Sequence, residues 1–420
     1  MDPEGQGGEA KFSAYMAGLL SVIGHADRAK PLRDYCEGLL MPCERKSVEP
    51  LAALTAPERT AAQHQSLLRF VGEGGWPDAR VLSKVREMVL PEIERHGPIE
   101  AWIIDDTAFP KKGKHSVGVA QQYCGQLGKQ DNCQVAVSLS LANAEASLPG
   151  AYQLYLSEAW ASDAVRRRKA GVPEAIRFQT KIEIALEQLR AAHAAGLRRG
   201  AVLLDAGYGP HSELRTAITG LGLSYVAGVL SNTTVWAPGT GPLPPEPLVP
   251  GRGQPTKRLR RDAEHQPVKV KALAFSLPAR AWRTITWREG TNGALRSRFA
   301  RLRIRVASAT SNAASPGRSN GFSSNGPRAR RSRPIIGSRL CRTTSDSPVS
   351  SIWPNCAGAS SVTTKSSSRI GLGHFEGRRW RGFHHHATLC IAAYGFLVAQ
   401  RATFPPAPPS GKGPKAACLP

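Results

Sequence analysis

IEAWIIDDT at residues 99–107 and AVLLDAG at residues 201–207 are the two stretches of this chain that decide its fold. Each is an apolar run of strand length that leads into carboxylates, Asp105 and Asp106 in the first and Asp205 in the second. Continuous apolar runs of this length are typical of strands covered on both faces. We therefore predict two buried strands whose ends carry acids.

The segments around these runs predict a mixed sheet. Residues 135–142 and 152–159 alternate between apolar and polar side chains like a pair of antiparallel strands, with residues 143–150 as the turn. Further elements are predicted in the order helix, strand, helix, strand at residues 173–196, 201–204, 211–218 and 223–229. Antiparallel strands followed by alternating helices and strands indicate an α/β fold with an RNase H-like mixed sheet.

The rest of the chain divides by composition around this core. The helical periodicity before residue 97 is compatible with a small DNA-binding bundle and equally with a structural cap on the core. We predict strands of an inserted β element at residues 268–275 and 283–287. The six predicted parts are an N-terminal helical region (1–97), the RNase H-like core (98–236), a linker with the inserted β element (237–305), a Ser/Arg/Pro/Asn-rich disordered segment (306–370), a C-terminal core helix (371–402) and a disordered Pro-rich tail (403–420).

The formal net charge of +24 suits a nucleic-acid partner. Residues 301–370 hold twelve Lys/Arg and one acid, Asp346, so this stretch accounts for +11 and the remainder for +13. The remainder is thus still basic enough for a phosphate backbone. A basic solvated surface without a nucleic-acid partner is the alternative that charge alone leaves open.

Other features of the sequence narrow the class of protein. No run of 18 apolar residues occurs, and the N-terminus lacks a basic-then-apolar signal pattern. The eight cysteines contain no C-x-x-C pair, so we expect reduced thiols rather than a zinc site or a disulfide framework. These features predict a cytoplasmic protein that does not enter a membrane.

The acids at the two strand ends predict a metal site. Strand ends of an open α/β sheet meet at one edge, so Asp105, Asp106 and Asp205 are expected to lie close together. Paired carboxylates suit Mg²⁺, which prefers hard oxygen ligands and keeps several waters. Two such ions, about 3.5–4 Å apart, can activate the attacking oxygen and stabilise the leaving oxygen of a phosphodiester. A helix cap or a loop hydrogen bond is the alternative for any single aspartate.

A family resemblance rests on three long segments, residues 102–142, 202–209 and 371–399. These segments resemble bacterial insertion-sequence transposases of the Asp-Asp-Glu type, in the IS-four-like superfamily and its IS-seven-hundred-one branch. The resemblance implies catalytic and metal-binding roles for Asp106 and Asp205, with two Mg²⁺ (or Mn²⁺) ions in an intact member. It also implies DNA as partner, with hydrolysis at the transposon end followed by attack of the freed 3′-OH on target DNA.

The third acid of that family is a glutamate in a helix written R-x3-E-x6-K, a motif that residues 306–370, where the helix is expected, lack. Residues 353–368 read WPNCAGASSVTTKSSS. When synonymous codons are chosen for them and the bases are read in the frame that starts at the last base of each codon, the peptide AKLRWRIERDYQELK is obtained. This peptide contains the motif. Residues 318–342 yield an acidic, aromatic-rich peptide in the same frame. We therefore predict a frameshift near residue 305 with compensation near 370, so that the glutamate codon spans Ser360 and Ser361. A natural disordered insertion is the alternative.

Several other residues are candidates for the site. Lys111, Lys112 and Lys114, just past Asp106, are predicted to contact DNA phosphates, with a solvated loop as the alternative. Glu376 is the nearest surviving acid and is predicted to be structural or to face DNA. His384, His385 and His386 cannot converge on one ion, because adjacent helical residues point about 100° apart.

The sequence thus predicts a DDE-type transposase with little or no activity, which acts on insertion-sequence ends and could pair with a second copy on paired ends. A non-catalytic DNA-binding remnant, able to compete with an intact transposase, is the alternative. Work on chromosomal DNA would place the protein in the bacterial cytoplasm, at the nucleoid.

Overall fold

The computed structural model describes residues 3–245, 259–290, 293–307, 320–325, 338–342 and 370–403. Its helices are α1 Pro3–Ile23, α2 Ala29–Leu40, α3 Val48–Thr55, α4 Thr60–Gly72, α5 Asp78–Glu94, α6 Glu158–Ser162, α7 Ala164–Ala170, α8 Lys181–Ala194, α9 Ser212–Gly220, α10 Val270–Phe275 and α11 Trp380–Ala402. Its strands are β1 Ala101–Pro110, β2 Ala120–Cys124, β3 Lys129–Ala142, β4 Ser147–Leu154, β5 Ala201–Leu204, β6 Tyr225–Val229, β7 Thr234–Trp236, β8 Val268–Lys269, β9 Trp282–Gly290, β10 Gly293–Val306, β11 Asn320–Asn325 and β12 Ser338–Arg342.

The core sheet has the order β4–β3–β1–β5–β6. Strand β3 pairs antiparallel with both β4 and β1, whereas β1–β5 and β5–β6 are parallel pairs. The apolar runs that decided the fold therefore form adjacent central strands, and their side chains fill the core on both faces. The predicted RNase H-like mixed sheet is confirmed.

The far side of the sheet corrects the prediction for residues 306–370. Strands β11 and β12 lie in that range, and β12 pairs antiparallel with β6. Without β12, the edge of β6 would present unpaired backbone N–H and C=O groups. An extended segment can pair with such an edge even when it has no apolar pattern of its own. Residues 343–369, which include the predicted position of the glutamate codon at Ser360 and Ser361, lie outside the described residues, as does the predicted tail from residue 404.

Three local predictions were wrong in their bounds. The helix expected from Pro173 begins at Lys181, because Thr180 and Glu183 form a capping box that satisfies the first backbone N–H groups. Residues 268–275 form two strand residues and then helix α10, so the alternating pattern there was misread. Strand β4 begins inside the predicted turn, at Ser147, and residues 158–162 are helical.

The long helix α11 is buried on almost every side and joins the N-terminal helices to the sheet. The Tyr15 hydroxyl of α1 donates to the Ala392 carbonyl at 2.9 Å, and Phe12 packs edge-on against Phe396. Helices α2, α4 and α5 and strand β4 also contact α11. This shared core supports the structural-cap interpretation of the N-terminal helices. No described helix is both long and apolar enough to cross a membrane.

The three adjacent histidines of α11 are core residues. His384, His385 and His386 are all buried, and each ring nitrogen bonds to a different neighbour in the surrounding structure. In His386, Nδ1 lies 2.8 Å from the Tyr35 hydroxyl and Nε2 lies 2.8 Å from the Gly371 carbonyl oxygen. A neutral ring meets both contacts, accepting from the tyrosine and donating to the carbonyl.

We expect acid to destabilise the fold through His386. Burial lowers the pKa of His386 to about 4, whereas an unfolded histidine titrates near 6.5. The unfolded chain therefore binds more protons between pH 6.5 and 4, and the free energy of unfolding falls as pH drops through that window. The shift corresponds to roughly 3 kcal/mol. Urea denaturation measured from pH 7 to 4 gives the slope of the free energy of unfolding against pH. We expect this slope to be shallower in His386→Gln than in the parent, and equal slopes would contradict the role of His386.

Candidate active site

Asp105 and Asp106 lie within β1 rather than at its end, and they point to opposite faces of the sheet. Side chains alternate along a strand, so Asp106 shares the face of Trp102 and Ile104, and Asp105 shares the face of Ile103. Asp105 Oδ1 accepts a hydrogen bond from the Asp106 backbone N–H at 2.9 Å. Both acids follow the stretch of β1 that pairs with β5, which ends at Ile104 opposite Leu204.

Asp205 follows β5 directly and is held by a tight turn. Its Oδ1 accepts from the backbone N–H groups of Gly207 (2.8 Å) and Tyr208 (3.1 Å), and its carbonyl accepts from Gly209 (2.8 Å). The turn packs backbone to backbone on β6, so a Cβ atom at Gly209 would lie 1.7 Å from the Gly228 carbonyl oxygen. The glycines of D-A-G-Y-G therefore let the turn sit against β6 and hold the acid beside β1.

The Tyr208 hydroxyl lies among the acids. Burial raises the pKa of Tyr208, and the negative charges of Asp106, Asp205 and Asp105 raise it further. The Tyr208 hydroxyl thus lies within electrostatic range of all three carboxylates, although Asp105 and Asp106 are on opposite faces of β1. The hydroxyl has no hydrogen-bond partner among the described residues, and its raised pKa keeps it a neutral donor.

Lys181 is a site residue that the sequence analysis missed. Its Nζ donates to Asp106 Oδ2 at 2.6 Å, with 30% and 33% of the two side chains exposed. The same ammonium lies 5.8 Å from the centre of the Tyr155 ring. The sequence signal was the T-K-I-E capping box, which starts α8 at Lys181, but nothing in the sequence ties this residue to Asp106.

The three predicted DNA-binding lysines differ in their surroundings. Lys111 Nζ donates to the Phe375 carbonyl at 2.7 Å, and burial lowers its pKa. It therefore holds the segment before α11 against β1, a structural contact that the sequence analysis did not predict. Lys112 and Lys114 are exposed in the loop after β1. The proposal of a phosphate contact accordingly rests on these two.

Glu376 lies in a surface ion pair with Arg45. This pairing agrees with the structural role predicted for it. Within the described part of the chain, no group of three or more His, Cys, Asp or Glu side chains is arranged to hold a metal ion. The described acids that act electrostatically on Tyr208 are Asp105, Asp106 and Asp205, and the position predicted for the third acid, at Ser360 and Ser361, lies outside the described residues.

The donor set fits a hydrated divalent cation in its chemistry. Asp106 and Asp205 offer hard carboxylate oxygens, and a positive group, the Lys181 ammonium, already lies against Asp106. The buried Tyr208 hydroxyl faces the same acids and could donate to a carboxylate or a metal-bound water. Asp106 and Asp205 are therefore the residues that would hold such an ion.

Comparison with known proteins places this site in a family. Residues 18–294, well over half of the chain, match the family of DDE superfamily endonucleases. The chain belongs to this family. Members are DDE endonucleases, which use divalent metal ions, and the match covers both β1 and the Asp205 turn.

Among known proteins, this chain is similar to an insertion-sequence protein and to a solved transposase structure. It is 27% identical over 196 residues to a protein of Microchaete diplosiphon described as "Probable transposase for insertion sequence element IS701". The match covers 46% of this chain and 47% of that protein, so it spans about half of the relative's length. A solved structure, the piggyBac transposase synaptic complex with hairpin DNA, has a TM-score of 0.39 and 10% identity, over 93% of this chain and 66% of that one.

Proposed function

We propose that the protein is a DDE-type transposase of the insertion-sequence kind, whose ancestral reaction is phosphodiester hydrolysis at transposon ends followed by strand transfer. The observation that carries the proposal is the placement of Asp106 on β1 and of Asp205 directly after β5, the adjacent parallel strand of an RNase H-like sheet. Membership of the DDE endonucleases and similarity to the IS701 protein support it. The proposal includes DNA as partner, a homodimer on paired ends and a location at the bacterial nucleoid.

In this proposal Asp106 and Asp205 hold the catalytic cations, with Mg²⁺ as the expected metal. When bound, such ions activate the attacking oxygen and neutralise charge on the phosphate. The Asp205 turn fixes one carboxylate through two backbone N–H donors, so that its position does not depend on the metal. Tyr208 contributes a buried, neutral hydroxyl donor within electrostatic range of the acids.

We further propose that the chain is defective in cleavage. The resemblance implies that the third ligand is a glutamate, and the sequence has Ser360 and Ser361 where its codon is expected. Serine hydroxyls are neutral and cannot replace a carboxylate as an anionic ligand. Glu376, the nearest acid along the chain, is paired with Arg45. Two acids then have to hold cations that three acids hold in an intact member.

A second candidate function is a non-catalytic DNA-binding remnant. It is favoured by the net charge of +13 outside residues 301–370 and by the exposed Lys112 and Lys114 in the loop after β1. Such a protein would retain recognition of transposon ends and compete there with an intact transposase.

A labelled DNA end incubated with the protein and Mg²⁺ separates the two functions. Cleavage that Asp106→Ala abolishes would establish the enzyme, and binding without cleavage would establish the remnant. Binding to insertion-sequence ends no tighter than to random DNA would contradict both. Asp105→Ala serves as a matched control, because Asp105 lies on the opposite face of β1.

We expect Lys112→Ala/Lys114→Ala to weaken DNA binding in a salt-dependent way. Each phosphate contact contributes about one to the slope of log K against log salt, so the slope should fall in magnitude by about two. Lys111→Met is the matched control, because its ammonium is engaged with Phe375. It should lower the thermal midpoint and leave the slope unchanged. A reduced salt slope in Lys111→Met, together with an unchanged slope in Lys112→Ala/Lys114→Ala, would show that Lys111 contacts the phosphates.

A further inference from the structure

We propose that Lys181 is a positioning residue of the acid site: a built-in counter-ion of Asp106 that a divalent cation displaces when it binds. The inference rests on the proposed function, since it assumes that Asp106 and Asp205 bind a metal. It assigns Lys181 a role in setting metal affinity, in addition to any role in folding.

The first ground for this role is electrostatic. Asp106 and Asp205 follow the paired residues Ile104 and Leu204 of adjacent strands, and both act electrostatically on the Tyr208 hydroxyl, so their negative charges repel unless a cation is among them. Lys181 Nζ, at 2.6 Å from Asp106 Oδ2, supplies that positive charge. The nearby Lys111 ammonium is engaged with a backbone carbonyl instead. A metal ion that uses the same Asp106 oxygen has to replace the ammonium.

The second ground is that the Lys181 side chain is free to leave. Helix α8 is started by the capping box of Thr180 and Glu183, which uses no atom of the Lys181 side chain. Lysine carries a compact charge on a flexible four-carbon stem, and about a third of this side chain is exposed. The ammonium already lies over the Tyr155 ring, 5.8 Å from its centre, so part of its stabilisation does not depend on Asp106. The contact can therefore open without unwinding α8.

The proposal is tested by titrating the full chain with Mn²⁺ and measuring the free ion from its electron paramagnetic resonance signal. We expect Lys181→Met to bind Mn²⁺ roughly three- to fivefold more tightly, the upper part of the range that loss of a competing, partly exposed ion pair implies. Lys181→Arg keeps the charge and should stay within about twofold of the parent. Asp106→Asn should abolish the Mn²⁺ binding that Lys181→Met strengthens, and this loss identifies Asp106 as part of the binding site.

The outcomes separate this inference from the proposed function. Unchanged or weaker Mn²⁺ binding in Lys181→Met, with Asp106-dependent binding in the parent, overturns the counter-ion role and leaves the metal site standing. Absence of Asp106-dependent binding in both proteins overturns the role together with the metal site. Far-UV circular dichroism in EDTA verifies that the variants are folded, and Lys181→Gln replaces the Met variant if that one is not.

Discussion

Gly209→Ala should destabilise the protein by at least about 3 kcal/mol, which is the upper end of what overpacking usually costs. It should also release Asp205 from its position. The added Cβ would lie 1.7 Å from the Gly228 carbonyl oxygen and 3.0 Å from that of Asp205. Both are backbone atoms, so no side chain can rotate out of the way. Either the Gly209 N–H loses its bond to the Asp205 carbonyl, or β6 moves away from β5.

Urea denaturation measures the effect, and Gly220→Ala is the matched control. Gly220 ends α9, and a Cβ there meets no heavy atom within 4 Å, so its variant should stay within about 0.5 kcal/mol of the parent. Gly228→Ala should reproduce the loss from the other side of the contact, because its Cβ would lie 2.8 Å from the Ala206 nitrogen. A Gly209→Ala protein as stable as the Gly220→Ala protein would show that turn and strand are not packed as described.

The sheet and its acids could be predicted because their signals are local. An apolar run followed by carboxylates identifies β1 and β5 without knowledge of any partner strand. The registers of adjacent parallel strands then bring Asp106 and Asp205 to the same edge, as general sheet topology requires. The apolar composition of residues 383–399 likewise predicted a core helix, and α11 is buried on almost every side.

The contacts that complete the site could not be predicted, because their partners are far apart in the sequence. Lys181 and Asp106 are separated by 75 positions, and Lys111 and Phe375 by 264. The sequence pattern of a lysine after a strand is the same whether its ammonium contacts a phosphate or donates to a carbonyl. The start of α8 was misplaced for a different reason: Pro173 suits a first turn, but the capping box at Thr180 decided the boundary.

Restoring the alternative reading frame should produce the second large effect. We expect a chain whose residues 306–370 carry the other-frame peptide to cleave DNA ends at least about 10⁴-fold faster, because removal of one essential catalytic group costs about that much or more. The reason is that the restored helix would supply the missing carboxylate beside Asp106 and Asp205. Its glutamate→glutamine variant is nearly isosteric and should return the rate to that of the present chain.

That restored chain also provides the control for ligand identity. Asp106→Ala and Asp205→Ala should each abolish its cleavage, whereas Glu376→Gln should retain it, because Glu376 is engaged with Arg45 at the surface. If Glu376→Gln abolished cleavage and the introduced glutamate proved dispensable, Glu376 would be the third ligand, and the frameshift interpretation would be wrong.

The central claim is that this polypeptide keeps two acids of a three-acid nuclease site. Cleavage of a labelled insertion-sequence end in Mg²⁺ tests it, with the present chain, its Asp106→Ala variant and the frame-restored chain measured side by side. We expect the present chain to cut no faster than its Asp106→Ala variant, and the restored chain to cut. Cleavage by the present chain that matches the restored chain and is lost in Asp106→Ala would contradict the claim.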